Sequence, residues 1–443
     1  MSGASLRITG GTLVTMDAER QVVLGDLLIQ DGVITALGAD VQAPEGVPTI
    51  DATGQFVLPG FIQGHVHLGQ ALLRGLSEER ELMDWLRDRI WPLEAGHTHD
   101  SAYWSAMLGA ADCIRSGTTT IQEIGLVTHM DALFEGIRDS GLRAIAGKCL
   151  MDTGLGVPEA LIELPDAAEA AFREQHARWH GFDGRIESSL CPRFILSCST
   201  ALWERTVALA NELNLPVHTH LLEHAREEDE VREVLGESQM AYLDRLGVLD
   251  TDLRIAHGVQ LDETHLEILR GRSLRVCHCP SANLKLGSGI AHLGFLGDAP
   301  GIEVGIGSDG APCNNDMDIL EEVRLAALLQ GVRQKPGAFS SVQALALATC
   351  DGAAAIGKAH SLGSLEVGKQ GDVVVLDLET PASFGPCSSV YDRIVYGAGR
   401  ETVKHVAVAG SPVLRDGALV TIDEPRMLAK AGEEVRALVD RAL

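Results

Sequence analysis

The sequence predicts an α/β fold: a distorted (β/α)8 TIM barrel with a small β-sandwich domain built from both chain ends. Three observations predict it. Strand-like and helix-like stretches alternate through the middle of the chain, from Phe61 to about Leu362. Short strands of antiparallel type, parted by glycines and tight turns, lie before and after that middle. Histidines and acids recur where candidate barrel strands end, which is the face on which such barrels keep their chemistry.

Taken in order, Leu6–Thr9, Gly11–Thr15, Asp26–Gln30 and Val33–Leu37 read as the first short strands, with Asp31-Gly32 as a turn. Gly371–Leu378 and Val403–Ser411 read the same way. Neither end has enough strands to cover its apolar face. One sandwich made from residues 1–59 and 363–443, with a barrel of residues 60–362 inserted, solves that problem. Within the barrel, candidate strands end at His67, Gly125, Asp152, Phe194, Leu221, Val259, Pro280 and Gly310. Between them lie amphipathic helical stretches, such as Ala201–Asn214 with apolar Leu202, Val207, Leu209, Ala210 and Leu213. Ser341–Ile356 is a further helical stretch after the last strand. Leu72–Glu94 is long for a first connection and is a candidate lid. No internal repeat or low-complexity tract is found.

Composition narrows the function. A length of 443 residues with 45% hydrophobic content supports a large core. A net charge of -26 argues against a nucleic-acid or anionic-membrane partner. No apolar run is long enough to span a bilayer, and the N-terminal residues lack a signal-peptide pattern. Nine scattered cysteines suit reduced thiols better than a disulfide framework. A cytoplasmic homo-oligomer acting on a small molecule is the expectation.

The chemistry starts at Leu58–His67, where a proline and glycine break precedes an apolar run ending in His65-Val66-His67. On a strand, alternate side chains share a face, so the two imidazoles can bind one metal ion. The fifth candidate strand adds His220, with Glu223 three residues on. The sixth gives His257 and the eighth Asp309. Each would be unremarkable alone; their shared position at strand ends is what counts. Three imidazoles and one carboxylate suit a zinc-like ion that keeps a position open for water.

These motifs resemble the amidohydrolase superfamily, in its branch of purine, nucleoside and triazine aminohydrolases and chlorohydrolases. The resemblance runs nearly full length, through Pro59–His67, Ser116–Thr120, His218–Glu223, His278–Gly289, Gly307–Gly310 and Leu362–Lys369. Ala282-Asn283 departs slightly from the usual Ser-Asn. The resemblance implies that His65, His67, His220 and Asp309 bind one divalent transition metal, zinc or iron(II). It implies Glu223 as proton shuttle and His257 as a contact to the attacking water or the substrate. A deaminase needs such a carboxylate, because ammonia leaves poorly unless protonated. Asp309 would also accept the proton of water.

Other patterns carry less. Gly305–Gly310 fits a dinucleotide-binding spacing, but its aspartate would repel a pyrophosphate. His265-Leu-Glu267 lacks the cysteine pair of the cytidine-type deaminases. Lys148 falls on the third strand, so a lysine bridging two metals is not expected; a structural role or a substrate contact is. Gln70 and Arg193-Phe194 resemble the guanine deaminase pattern and point to a purine-like or pterin-like aminoheterocycle. Against that, Asp84-Trp85 and Trp91–Glu94 resemble the branch acting on 5'-modified adenosines, in which the matching glutamate grips ribose. Triazine dechlorination and a non-enzymatic assembly role are further alternatives. The intact ligand set argues against the last.

Overall fold

A computed structural model describes residues 4–443, so the first three residues of the 1–59 segment lie outside the described residues. The middle of the chain forms eight parallel barrel strands in two arcs. One arc is Phe61–His67, Thr118–Ile124, Arg143–Gly147 and Ile186–Ser188; the other is Val217–Leu221, Leu253–His257, Leu274–His278 and Ile302–Ile306. The arcs meet twice. Leu190 bridges to Val217, and the short extension Asp309–Gly310 pairs with Val66–His67. The second joint carries a metal-ligand candidate on each side. Gly307 makes it possible, since a Cβ there would come 2.5 Å from the His65 carbonyl oxygen.

The third and fourth strands end earlier than the expected Asp152 and Phe194. They stop at Gly147 and Ser188, and the pair Cys149–Leu150 with Cys191–Pro192 resumes as a separate two-stranded ladder. The sixth strand stops at His257 rather than Val259 because His257 turns left-handed. The expected helix at Ala201 runs Thr200–Leu213, with the Ser199 side chain accepting the Leu202 N–H as its cap. The stretch after the last strand divides into Ser341–Leu347 and Cys350–Ala355.

Both chain ends contribute to one β-domain. Its nine strands pair continuously, because Phe56–Pro59 hydrogen-bonds to Leu6–Val14 on one side and to Val373–Leu376 on the other. Leu6, Ile8, Leu27, Ile29, Ile50 and Val373 share one apolar cluster, so a single sheet bends over its own inner face. Alternation sends Val374 and Leu376 to the other face, into the barrel's core cluster. The helix Glu424–Ala442 returns to the barrel and packs on His99–Arg115. All nine cysteines are free thiols. Among the described residues no helix is long and apolar enough to cross a membrane.

Candidate metal centre

Six polar groups converge at the C-terminal ends of the barrel strands. One ligand atom each from His65, His67, His220 and Asp309 lies within 4.8 Å of all the others. His67 Nε2 is 3.1 Å from His220 Nε2, and Asp309 Oδ1 is 3.3 Å from His65 Nε2 and 3.5 Å from His67 Nε2. Ligands bonded to one ion at about 2.0–2.1 Å sit roughly 3–4 Å apart, in a four-coordinate or a five-coordinate shell, so the spacing suits one ion with a position left for water.

The hydrogen bonds of the rings point the same way. His67 Nδ1 lies 2.7 Å from the Ile124 carbonyl and His220 Nδ1 lies 2.7 Å from the Arg193 carbonyl. A carbonyl only accepts, so both Nδ1 atoms carry the proton and both Nε2 lone pairs face inward. Two lone pairs 3.1 Å apart repel unless a cation lies between them. His65 Nδ1 meets His218 Nε2 at 3.2 Å, while buried His65 Nε2 has no hydrogen-bond partner. Burial drives the His67 pKa down to about 3 and those of His65 and His220 downward, so all three are neutral donors. Burial pushes Asp309 up, yet its contact with His65 and the nearby imidazoles holds it well below the ordinary range. The residues fit the ion that the sequence implies.

Around this cluster stand the proton-handling groups. His257 Nε2 is 3.4 Å from Glu223 Oε2 and 3.8 Å from Asp309 Oδ2. Its Nδ1 is held 2.9 Å from Asn283 Oδ1, which fixes the tautomer and leaves Nε2 as an acceptor. Burial, then the charge of Asp309, lifts the Glu223 pKa to about 8. The Ser288 hydroxyl donates to Glu223 Oε1 at 3.4 Å, and the Glu227 carboxylate accepts the Glu223 backbone N–H at 2.8 Å. Leu222, His257 and Asp309 all have positive φ, at 53°, 74° and 62°. Such backbone is costly for non-glycine residues and is tolerated where it aims functional groups.

Gln70, Trp85, Arg193 and Phe194 line the cavity above the cluster; Glu94 and Lys148 do not. Glu94 lies behind it. The Arg193 guanidinium donates to both Glu94 oxygens, at 2.5 and 3.2 Å, and Gln70 Nε2 donates to Glu94 Oε1 at 2.8 Å. Burial opposes ionisation of Glu94, but the Arg193 charge prevails and keeps its pKa low. Gln70 Oε1 is buried and unpartnered beside the cavity. Lys148 is paired with Glu163 instead. The candidate lid supplies the roof, where Leu82, Met83, Trp85 and Leu86 face Leu286. The free cavity is only about 30 Å3.

Sequence reasoning gave no role to His218, Asn283, Glu227 or Ser288. His218, Asn283 and Ser288 stand inside the quoted motifs His218–Glu223 and His278–Gly289, which was the available signal. The carbonyls of Ile124 and Arg193 had none, because every residue has a carbonyl.

Comparison with known proteins agrees with this geometry. Residues 56–413 match the model of the amidohydrolase family. The chain is 33% identical over 442 residues to a 5-methylthioadenosine/S-adenosylhomocysteine deaminase of Desulforamulus reducens, covering 98% of this chain and 99% of that protein. It is 34% identical over 442 residues to a 5'-deoxyadenosine deaminase of Methanobrevibacter smithii, covering 97% and 99%. Among solved structures it is similar to an adenosine deaminase from Xanthomonas campestris with bound zinc. That likeness has a TM-score of 0.92 at 31% identity and covers 99% of both chains.

Proposed function

The chain belongs to the amidohydrolase family and is a metal-dependent deaminase, a hydrolase of carbon–nitrogen bonds in cyclic amidines; from that premise we propose that its substrate is a 5'-modified adenosine. The observation that carries this reading is near full-length similarity to deaminases of 5-methylthioadenosine, S-adenosylhomocysteine and 5'-deoxyadenosine. A site able to work on an amino-bearing purine ring supports it.

In this reading His65, His67, His220 and Asp309 hold the metal, taken to be zinc. An ion held there would lower the pKa of a water toward about 7 and so make a nucleophile available at neutral pH. Asp309 accepts the proton that water gives up. Glu223, whose carboxyl is pushed towards the protonated form by burial and the Asp309 charge, gives its proton to the ring nitrogen beside the amino-bearing carbon, which makes that carbon electrophilic. His257, held by Asn283, steadies the oxygen as it adds. Glu223, now a carboxylate, takes the proton of the adduct hydroxyl and hands it to the departing amine, and the proton held by Asp309 then restores Glu223, so water and the aminopurine become the oxopurine and ammonia.

The test is ammonia release by zinc-loaded protein with 5'-methylthioadenosine, S-adenosylhomocysteine and 5'-deoxyadenosine. Efficient conversion of at least one to its inosine counterpart is expected. Turnover of guanine or a pterin with no turnover of any adenosine derivative would overturn the proposal. That second reading, an oxo-bearing aminoheterocycle, rests on one feature: Gln70 Oε1 and the Arg193 guanidinium offer an acceptor and a cationic donor at the cavity wall.

A further inference from the structure

Between the last barrel strand, Ile302–Ile306, and the extension Asp309–Gly310 the chain changes partners. Gly307 still donates its N–H to the His278 carbonyl of the seventh strand, at 3.0 Å, while Asp309 is already paired with Val66 of the first. Ser308 stands at the crossing and is fully buried. Two side chains hold its backbone. Its N–H donates to Gln63 Oε1 at 3.0 Å, and its carbonyl accepts from Asn314 Nδ2 at 2.8 Å. Gln63 is itself fully buried, on the strand that carries His65 and His67. Its amide is fixed in turn, because Nε2 donates to the Met317 carbonyl at 3.0 Å and to Thr118 Oγ1 at 3.1 Å. An N–H only donates and a carbonyl only accepts, so these partners admit one orientation of the amide.

Resting on the reading of Asp309 as a metal ligand, we propose that Gln63 and Asn314 are positioning residues for the deaminase reaction, which set the Asp309 carboxylate by clamping Ser308. Asp309 has a φ of 62°, a region that suits glycine, and backbone free to move leaves it. Its Oδ1 accepts the Gly310 N–H at 2.7 Å, which fixes the carboxylate against its own backbone and no further. The clamp fixes that backbone against the first strand, on which Gln63 precedes His65 by two residues. One amide thus ties together two ligand-bearing segments, across 245 residues of sequence. Asp309 Oδ1 thereby stays 3.3 Å from His65 Nε2 and 3.5 Å from His67 Nε2. Neither Gln63 nor Asn314 lines the reaction cavity. Their effect reaches the reaction through Asp309 and leaves the binding of substrate alone.

The experiment measures zinc affinity by chelator competition, the visible spectrum of the cobalt(II)-substituted protein, the melting temperature of the metal-free protein, and kcat and KM with 5'-methylthioadenosine. The first three need no substrate, so they stand whatever the substrate proves to be. Gln63→Met and Asn314→Ala should each weaken zinc binding by about 10–100-fold, the usual effect of losing a group that orients a ligand, and should shift the cobalt spectrum. At saturating metal, kcat should fall with KM unchanged. Thr118→Val removes one partner of the Gln63 amide and leaves both bonds to Ser308 in place. It should lower the melting temperature with zinc affinity and spectrum unaltered. Clamp variants that melt lower yet keep wild-type zinc affinity and spectrum overturn the inference, since their role is then only structural. So does a Thr118→Val protein that loses as much zinc affinity as Gln63→Met. Where Gln63→Met does not fold, Asn314→Ala decides, because its side chain is only partly buried. Asp309→Ala separates the two levels. If it keeps wild-type zinc affinity, the ligand reading falls and the inference with it; if it loses zinc while the clamp variants do not, the inference alone falls.

Discussion

Glu223→Gln should make the metal-stripped protein more stable while it removes the proton shuttle. The folded chain holds the Glu223 pKa at about 8 against an ordinary 4.5, because the carboxyl is buried beside Asp309. The folded state thus keeps a proton that the unfolded state releases. Stability therefore falls as pH rises from about 4.5 towards about 8 and levels off beyond. At pH 7 the gap is about 2.5 units, and at about 1.4 kcal/mol per unit the carboxyl costs roughly 3 kcal/mol. An amide of the same shape carries no such cost, and its oxygen can still accept the Ser288 hydroxyl. With an unfolding entropy of about 2.1 cal/mol/K per residue, a chain of this length gains roughly 3 °C in melting temperature. Scanning calorimetry of wild type and variant, dialysed against a chelator, should show that gain at pH 7, a larger one at pH 8 and almost none at pH 5. Turnover after reloading should fall by about 10²–10⁴-fold with metal content unchanged. A variant that melts no higher at pH 8 than wild type would refute the burial argument. Full turnover would move the shuttle role elsewhere.

Other perturbations probe the groups around it. Elemental analysis should find one transition metal per chain, and alanine at His65, His67, His220 or Asp309 should remove metal and activity together; two metals per chain would contradict the single site. His218→Phe takes away the acceptor for His65 Nδ1 and should weaken metal binding about 10–100-fold in a chelator competition, with unaltered affinity counting against its positioning role. Arg193→Met strands a buried Glu94 carboxylate and should cost about 3–5 kcal/mol, whereas Arg193→Met with Glu94→Gln should recover much of it; additive losses would deny the coupling. Because Glu94 is held low, the stability from this pair is present above its ordinary pKa and lost as pH falls through the folded value, so the single variant should differ least in acid.

The parts of this molecule legible in the sequence are those governed by short-range periodicity. His65 and His67 share a face because strand side chains alternate, and Asp309 reaches them because parallel strands end on one rim. The β-domain was legible as a deficit, since neither chain end could cover its own apolar face. Its continuity as a single sheet was not, because Phe56–Pro59 looks the same whether it pairs on one edge or two. Long-range pairing of charges was also hidden. Arg193 and Glu94 are 99 residues apart, and no local pattern reveals that the guanidinium turns to that carboxylate. Lys148 likewise reads equally as a structural residue or a substrate contact until its pairing with Glu163 is seen.

The continuous sheet also bears on how the protein is made. The strand Phe56–Pro59 lies just before the one that bears His65 and His67, yet its second hydrogen-bonding neighbour is Val373–Leu376. On a ribosome adding about 5–20 residues per second, that partner emerges roughly 15–60 s later. Meanwhile the early strands present an open, apolar edge, the kind that invites pairing with another nascent chain. The barrel has the same delay, because the strand Phe61–His67 gains its second ladder neighbour only when Asp309–Gly310 arrives. Synthesis thus passes through a long interval in which the first metal ligands exist without the last. Slow translation, scarce chaperone or early metal capture should lower the yield of this protein more than they affect the finished fold.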